Sequence, residues 1–531
     1  MTTANLKRLM ALLFAFALVA AACGGSDSEG ADAEGDSSAE SEGSDEGGDL
    51  GGVDEDAAAD ALEQASEEDA DEETVASGSV EELEIQWAEE RAAIVASLQE
   101  GGYGLSEDGT TLTGPGGWEV DMTACPADWS NTAGVADGTV TVGLTIPQSG
   151  TLAAYGNIGT GMEAYFNYVN EHGGVGPDGL QIALETRDDA YDPNLTTEYV
   201  EEFLGGDEPF YVQSLGTPNT FAVRDTLNAA CVPHPMAMTG HPAWADPINF
   251  PWTTGLQLNY FTEGVLWAGW IEQNLADEAP VTVAALVADN DFGLAYEKGF
   301  LAAAEGSDVI GDVEVVRHDV AAATLTNEVT TLAAADPGVF IAMTAGTPCT
   351  VAFQEAARAG IVESASAVWA PSVCANANFL GPAEGAADGW LSLGGGLKDT
   401  ADESLREDDV YLAFLAEELE AAGLDPEVAL LGSGFGQFGW PQVQSMMIAA
   451  ELDGGLTRTN YMLALRALDM THPALLPGIA FAQNGAEDGY LVEGTQVQRW
   501  DAENQTNVQE GGVIDLDGSS GTCVWDTEAG C

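Results

Sequence analysis

Three short segments carry the residue types that grip a small anion. They are Pro147-Gln148-Ser149-Gly150 running on to Ala154-Tyr155-Gly156, then Ser214-Leu215-Gly216-Thr217-Pro218-Asn219, then Met238-Thr239-Gly240-His241-Pro242. Hydroxyls and free backbone N–H groups at a helix start are the donors a carboxylate needs. Other spacings point to other chemistry and are incomplete. Gly434-Phe435-Gly436-Gln437-Phe438-Gly439 has the glycine spacing of a dinucleotide loop. It lacks a convincing strand before it and an acid about twenty residues on. Cys231 and His234, with His241, fall short of the four spaced ligands of a zinc site. Neither a GxSxG elbow nor an HExxH helix occurs. No catalytic residue, metal or cofactor is therefore expected. A hydrolase using an Asp/Glu pair stays open as the alternative, because the chain is so rich in acids.

The three segments need strands behind them, and the pattern supplies these. Thr139–Thr145 is rich in β-branched residues, and a helix with Met162, Phe166 and Val169 on one face follows until Gly173-Gly174 stops it. Residues 181–186, 196–204, 210–213 and 220–228 continue the alternation of strand and helix. After a linking helix near 261–274 it restarts, with strands at 282–288, 313–317, 339–343 and 368–370 and helices at 294–305, 324–334 and 351–360. Strands separated by helices imply parallel sheets with helices on both faces, and ligands bind beyond the carboxyl ends of such strands. The expected fold class is α/β: two doubly wound parallel-sheet lobes with a hinge.

Bulk charge narrows the partners. The 531 residues hold 89 acids against 13 bases, a net charge of −76. After residue 100 there are still 62 acids and 10 bases, so the folded body is acidic too. A face that grips nucleic acid needs clustered Lys and Arg, so nucleic acid is not an expected partner.

The N-terminus reads as an address. Lys7 and Arg8 precede the apolar run Leu9–Ala22 and Cys23, as in a secretory signal, and the run is short for a membrane span. Val19-Ala20-Ala21-Ala22-Cys23 resembles a bacterial lipobox, which implies a lipid on Cys23 and an extracytoplasmic, membrane-anchored chain. Residues 24–79 are Gly, Ser, Ala, Asp and Glu with almost no large apolar side chain, and are expected to be a disordered acidic linker. A helical pattern over 80–99 opens an extension spanning 80–136. The binding domain is expected over 137–515 and a tail over 516–531. Lobe 1 takes about 137–257 and 390–478, and lobe 2 about 258–389 and 479–515.

GLTIPQSGTLAAYG, the turn NEHGGV, RDDAYDP at Arg187–Pro193 and DNDFG at Asp289–Gly293 together resemble the type I periplasmic binding proteins. More narrowly, they are similar to the leucine/isoleucine/valine- and amide-binding receptors of ABC importers, over roughly residues 137–515. The resemblance implies a small polar solute (amino acid, amide or short organic acid), a permease partner, and a monomer that closes by a hinge. It implies that Tyr155 covers the ligand side chain, that Thr217 binds its carboxylate, and that Met238, Thr239 and Gly240 add contacts. Phe292 and Thr347 would join from the second lobe, and Trp440 from the third crossover region. Amino-acid receptors often carry a Glu where Ser372 stands, so ammonium recognition is weaker here or comes from elsewhere. A ligand sensor is a third class, though no transmembrane or signalling segment follows.

Six cysteines besides Cys23 allow fifteen pairings. Cys349 and Cys374 follow successive strands, Cys523 and Cys531 are close in sequence, and elimination then pairs Cys125 with Cys231.

Overall fold

The computed structural model describes residues 55–67, 78–519, 521–527 and 530. The expected signal with Cys23, residues 24–54 and 68–77 of the expected linker, and Cys531 lie outside the described residues.

Helix α1 (Glu55–Glu67) corrects the expectation of a structureless stretch over 24–79. Ala58, Leu62 and Ala65 recur at helical spacing and are buried. Two of the three are alanines and all sit among acids, so composition hides the stripe. Leu62 lies over Gly269, and the Ala65 carbonyl lies over Gly511. Helix α2 (Val80–Gly101) opens with a reciprocal cap: the Ser79 hydroxyl accepts from the Glu82 N–H, and the Glu82 carboxylate accepts from the Ser79 N–H. It buries Trp87, whose ring stacks on His472 at 5.6 Å and whose indole N–H donates to the Thr471 carbonyl at 2.9 Å. A small antiparallel sheet follows, of β1 (Gly104–Leu105), β2 (Thr111–Thr113) and β3 (Glu119–Asp121).

The first lobe is built on β4 (Val135–Ala136), β5 (Thr139–Ile146), β6 (Gln181–Asp188) and β7 (Val212–Ser214). β5 pairs in parallel with both β6 and β7. The connecting helices are α3 (Gly156–Glu171) and α4 (Pro193–Gly205), and α5 (Thr217–Ala229) follows β7. Helix α6 (Tyr260–Asn274), capped by Asn259, opens the second lobe. There β8 (Val281–Ala288), α7 (Asp291–Ala304), β9 (Ile310–His318), α8 (Thr326–Ala333), β10 (Val339–Met343), α9 (Thr347–Arg358), β11 (Ala367–Ala370) and β12 (Leu391–Leu393) alternate. β10 is buried along its whole length, as a central parallel strand covered on both faces must be.

The chain then returns to the first lobe as α10 (Val410–Ala421), α11 (Trp440–Glu451) and α12 (Arg458–Leu465), with the pair β13 (Asp469–Thr471) and β14 (Ala480–Ala482). Last come β15 (Gly494–Asp501) and β16 (Thr506–Asp515), which complete the second sheet in the order β16-β15-β12-β11-β10-β8-β9. Two expected boundaries shift. β12 pairs with β11, so the second lobe runs past residue 389. Residues 479–493 stay with the first lobe, where the Gln483 N–H donates to the Leu468 carbonyl and the Leu491 N–H to that of Leu256. The third crossing is therefore near residue 494. Both slips have one cause: β12 and β14 are three-residue strands, too short to show periodicity.

Cys125 is bonded to Cys231, tying the extension to the first lobe, and Cys349 to Cys374, tying α9 to the loop after β11. Cys523 is disulfide-bonded as well.

Candidate functional site

Each lobe ends a strand in the same short sequence. Leu215-Gly216-Thr217-Pro218 follows β7, and Ala345-Gly346-Thr347-Pro348 follows β10. Both glycines are left-handed, with φ of 97° and 68°. In both, Pro at the first turn of the following helix costs no hydrogen bond. A side chain on Gly216 would meet the Tyr191 ring, and one on Gly346 would meet the Thr151 carbonyl from the other lobe. Each turn is therefore open so that another piece of chain can press onto it.

Between the lobes lies a cavity of about 170 Å³. Tyr155, Met238 and Thr239 line it from the first lobe, and Phe292 and Ser372 from the second. The Tyr155 hydroxyl spans the gap: it donates to the Val373 carbonyl at 3.0 Å and accepts from the Gly346 N–H at 3.2 Å. Thr217 is buried behind this wall, and its hydroxyl shares a 2.6 Å hydrogen bond with that of Thr239. It supports the lining rather than forming it. Gly240 also stands behind the wall, where a side chain would strike the Tyr260 ring. Thr347 is exposed, and both its N–H and its hydroxyl donate to the Thr151 carbonyl at 2.9 Å, joining the lobes outside the cavity.

Trp440 corrects the reading from resemblance. It is buried in the first lobe, 5.1 Å from the Trp87 ring and 4.6 Å from His472, away from the cavity. Phe438 and Gln437 line the cavity instead. A widened helical turn over Gly434–Gly439 sets this phase, and Gly434 lets that turn touch the Ile158 carbonyl of α3. The glycine run serves helix packing.

Several wall residues were missed by spacing. Tyr191 is held by Asp189, which accepts from the Tyr191 N–H at 2.9 Å, from the Thr196 hydroxyl at 2.8 Å and from the Asn219 amide at 3.0 Å. Tyr260 and Glu263 come from α6, and Lys398 and Asp399 from the second crossing. Glu263 is buried, and its carboxylate accepts from the Ser372 hydroxyl at 2.5 Å, the Ser372 N–H at 3.1 Å and the Tyr296 hydroxyl at 3.4 Å. A carboxylate thus does reach the neighbourhood of Ser372, from a different element. The signal was present: Glu263 is the one acid inside the apolar run Tyr260–Ile271. Burial lifts the Glu263 carboxyl to about 7, against the pull of the Ser372 and Tyr296 donors. Burial also raises Asp399. Lys398 is paired with Asp409 at 2.8 Å.

A family model described as periplasmic binding protein matches residues 139–506, most of this two-lobed frame. The chain belongs to that family. As a periplasmic binding protein it is extracytoplasmic, and among the described residues no helix is long and apolar enough to cross a membrane. No curated protein matches it in sequence. Among solved structures it is similar to a fatty acid ABC transporter substrate-binding protein from Thermomonospora curvata, at 16% identity and a TM-score of 0.59, covering 74% of this chain and 97% of that one. A branched chain amino acid ABC transporter protein from Thermus thermophilus with bound valine gives 16% identity and a TM-score of 0.59, covering 70% and 95%. A solute binding protein from R. palustris in complex with benzoate gives 16% and 0.58, covering 74% and 99%. At such identity the likeness is one of fold. The chain's fold is that of the substrate-binding proteins of ABC transporters.

Proposed function

We propose that this chain captures a small polar, amino-acid-like solute between its lobes by hinge closure and delivers it to the permease of an ABC importer, while a lipid on Cys23 holds it to the outer face of the membrane. One observation carries the solute-binding part: a cavity walled by both lobes and roofed by Tyr155, whose hydroxyl bonds the opposite lobe. Such a wall forms only when the lobes are together, which is what couples capture to closure. Tyr155, Tyr191, Tyr260, Phe292 and Phe438 give the cavity an aromatic lining, so the solute carries an apolar body as well as polar ends. Thr239 faces the cavity with its hydroxyl held by Thr217 and Tyr260, and it is the polar contact we assign to one end of the solute.

Calorimetry against a panel of amino acids, amides, benzoates and short fatty acids tests the reading. A ligand of micromolar or better affinity is expected, and Thr239→Ala should weaken it about tenfold. A panel in which nothing binds contradicts the reading. The anchor is tested separately, by radiolabelled palmitate incorporation in a bacterial host. Labelling of the wild type and its loss in Cys23→Ala are expected, and labelling of both argues against Cys23.

A further inference from the structure

The charged groups on the cavity wall are unevenly matched. Glu263 and Asp399 present two carboxylates, while the wall's one cation among the described residues, Lys398, is paired at 2.8 Å with Asp409 behind it. The donors that reach Glu263 are neutral: the Ser372 hydroxyl and N–H and the Tyr296 hydroxyl. Among the described residues Glu263 makes no ion pair.

Removing an ionised carboxylate from water without an opposite charge is costly, and two neutral partners recover only part of that cost. A solute bringing a second carboxylate to this wall would add like charge. A solute bringing an ammonium would supply the missing opposite charge in a water-poor setting, where such a pair is strongest. We infer that Glu263 recognises a protonated amine on the solute, so that the receptor selects zwitterionic or cationic amines over simple carboxylates. This rests on the solute-receptor reading and narrows it.

The raised proton affinity of Glu263 fits the same geometry. The titratable groups facing it are Tyr296 from α7 and Tyr260 one turn earlier on its own helix, both of which burial keeps neutral, with Asp399 and Lys398 elsewhere on the wall. An arriving ammonium pulls the Glu263 proton off, whereas an arriving carboxylate holds it on.

The test uses the full exported chain and three matched sets of probes in calorimetry: amino acids, the amines left by removing their carboxyl groups, and the acids left by removing their amino groups. Amine-bearing probes should bind, and the deaminated acids should bind at least a hundredfold more weakly. Glu263→Gln should remove that preference. On the wild type alone, repeating the titration at pH 7 in buffers of different ionisation enthalpy should show proton release on binding, which keeps the test open if Glu263→Gln fails to fold. The inference is overturned if the deaminated acids bind as well as the amino acids, or if binding takes up a proton. Either result would leave the receptor reading standing; a panel that binds nowhere would remove both.

Discussion

The two Gly-Thr-Pro turns share their chemistry and differ in what is pressed onto them. Gly216 is covered by Tyr191 of its own lobe, and Thr217 is buried against Thr239. Gly346 is covered by Thr151 and Leu152 of the opposite lobe, and Thr347 is exposed and bonded to Thr151. The first turn is complete within one lobe. The second is complete only when the lobes meet. One local sequence thus packs within a lobe on one side and between lobes on the other, and the neighbours decide which.

Substitutions can break that comparison. Gly216→Ala places a methyl into the Tyr191 ring at a left-handed position, and should destabilise the fold by about 3 kcal/mol in urea unfolding. Gly346→Ala carries the same backbone strain and should also lose stability, but its methyl meets the other lobe, so it should lower affinity as well. An unchanged affinity in Gly346→Ala would deny the distinction.

Acidity sharpens the same contrast through Glu263, which sits where the lobes meet. Unfolded, it titrates in the ordinary carboxylate range; folded, it is lifted to about 7. Below both values it is protonated in either state and costs nothing. As pH rises toward 7 the unfolded chain ionises first, so the fold loses about 3 kcal/mol over that window. Melting followed from pH 4 to 8 should show this decline, and Glu263→Gln should flatten it.

The smallest effect belongs to Thr347→Val, which removes one interlobe hydrogen bond. Affinity should fall three- to tenfold, about 1 kcal/mol, with little change in urea midpoint. A large loss of stability would mean that this turn, too, supports its own lobe.

Much of the frame was legible because strands and helices announce themselves by period. Thr139–Ile146 and Val339–Met343 are strands for the reasons their residues suggest, and Tyr155, past the end of the first, and Thr239, beside the single bridge from Met238 to Leu215, do face the cavity. What was hidden came from crossings and short strands. Glu263 lies on the helix that opens the second lobe and Lys398 on the second crossing, where no strand end marks a binding position. Phe438 and Trp440 are two residues apart, and only the widened turn before Trp440 decides which one faces the cavity. Helix α1 was hidden by its acids, because one leucine and two alanines among them give no bulk signal.

A crystal structure of the chain with the tightest-binding probe tests the central claim most directly. The account expects the solute enclosed between the lobes, its polar end within hydrogen-bond reach of the Thr239 hydroxyl and Tyr155 closing over it. A solute bound on one lobe's outer surface, with this cavity holding only water, would contradict it.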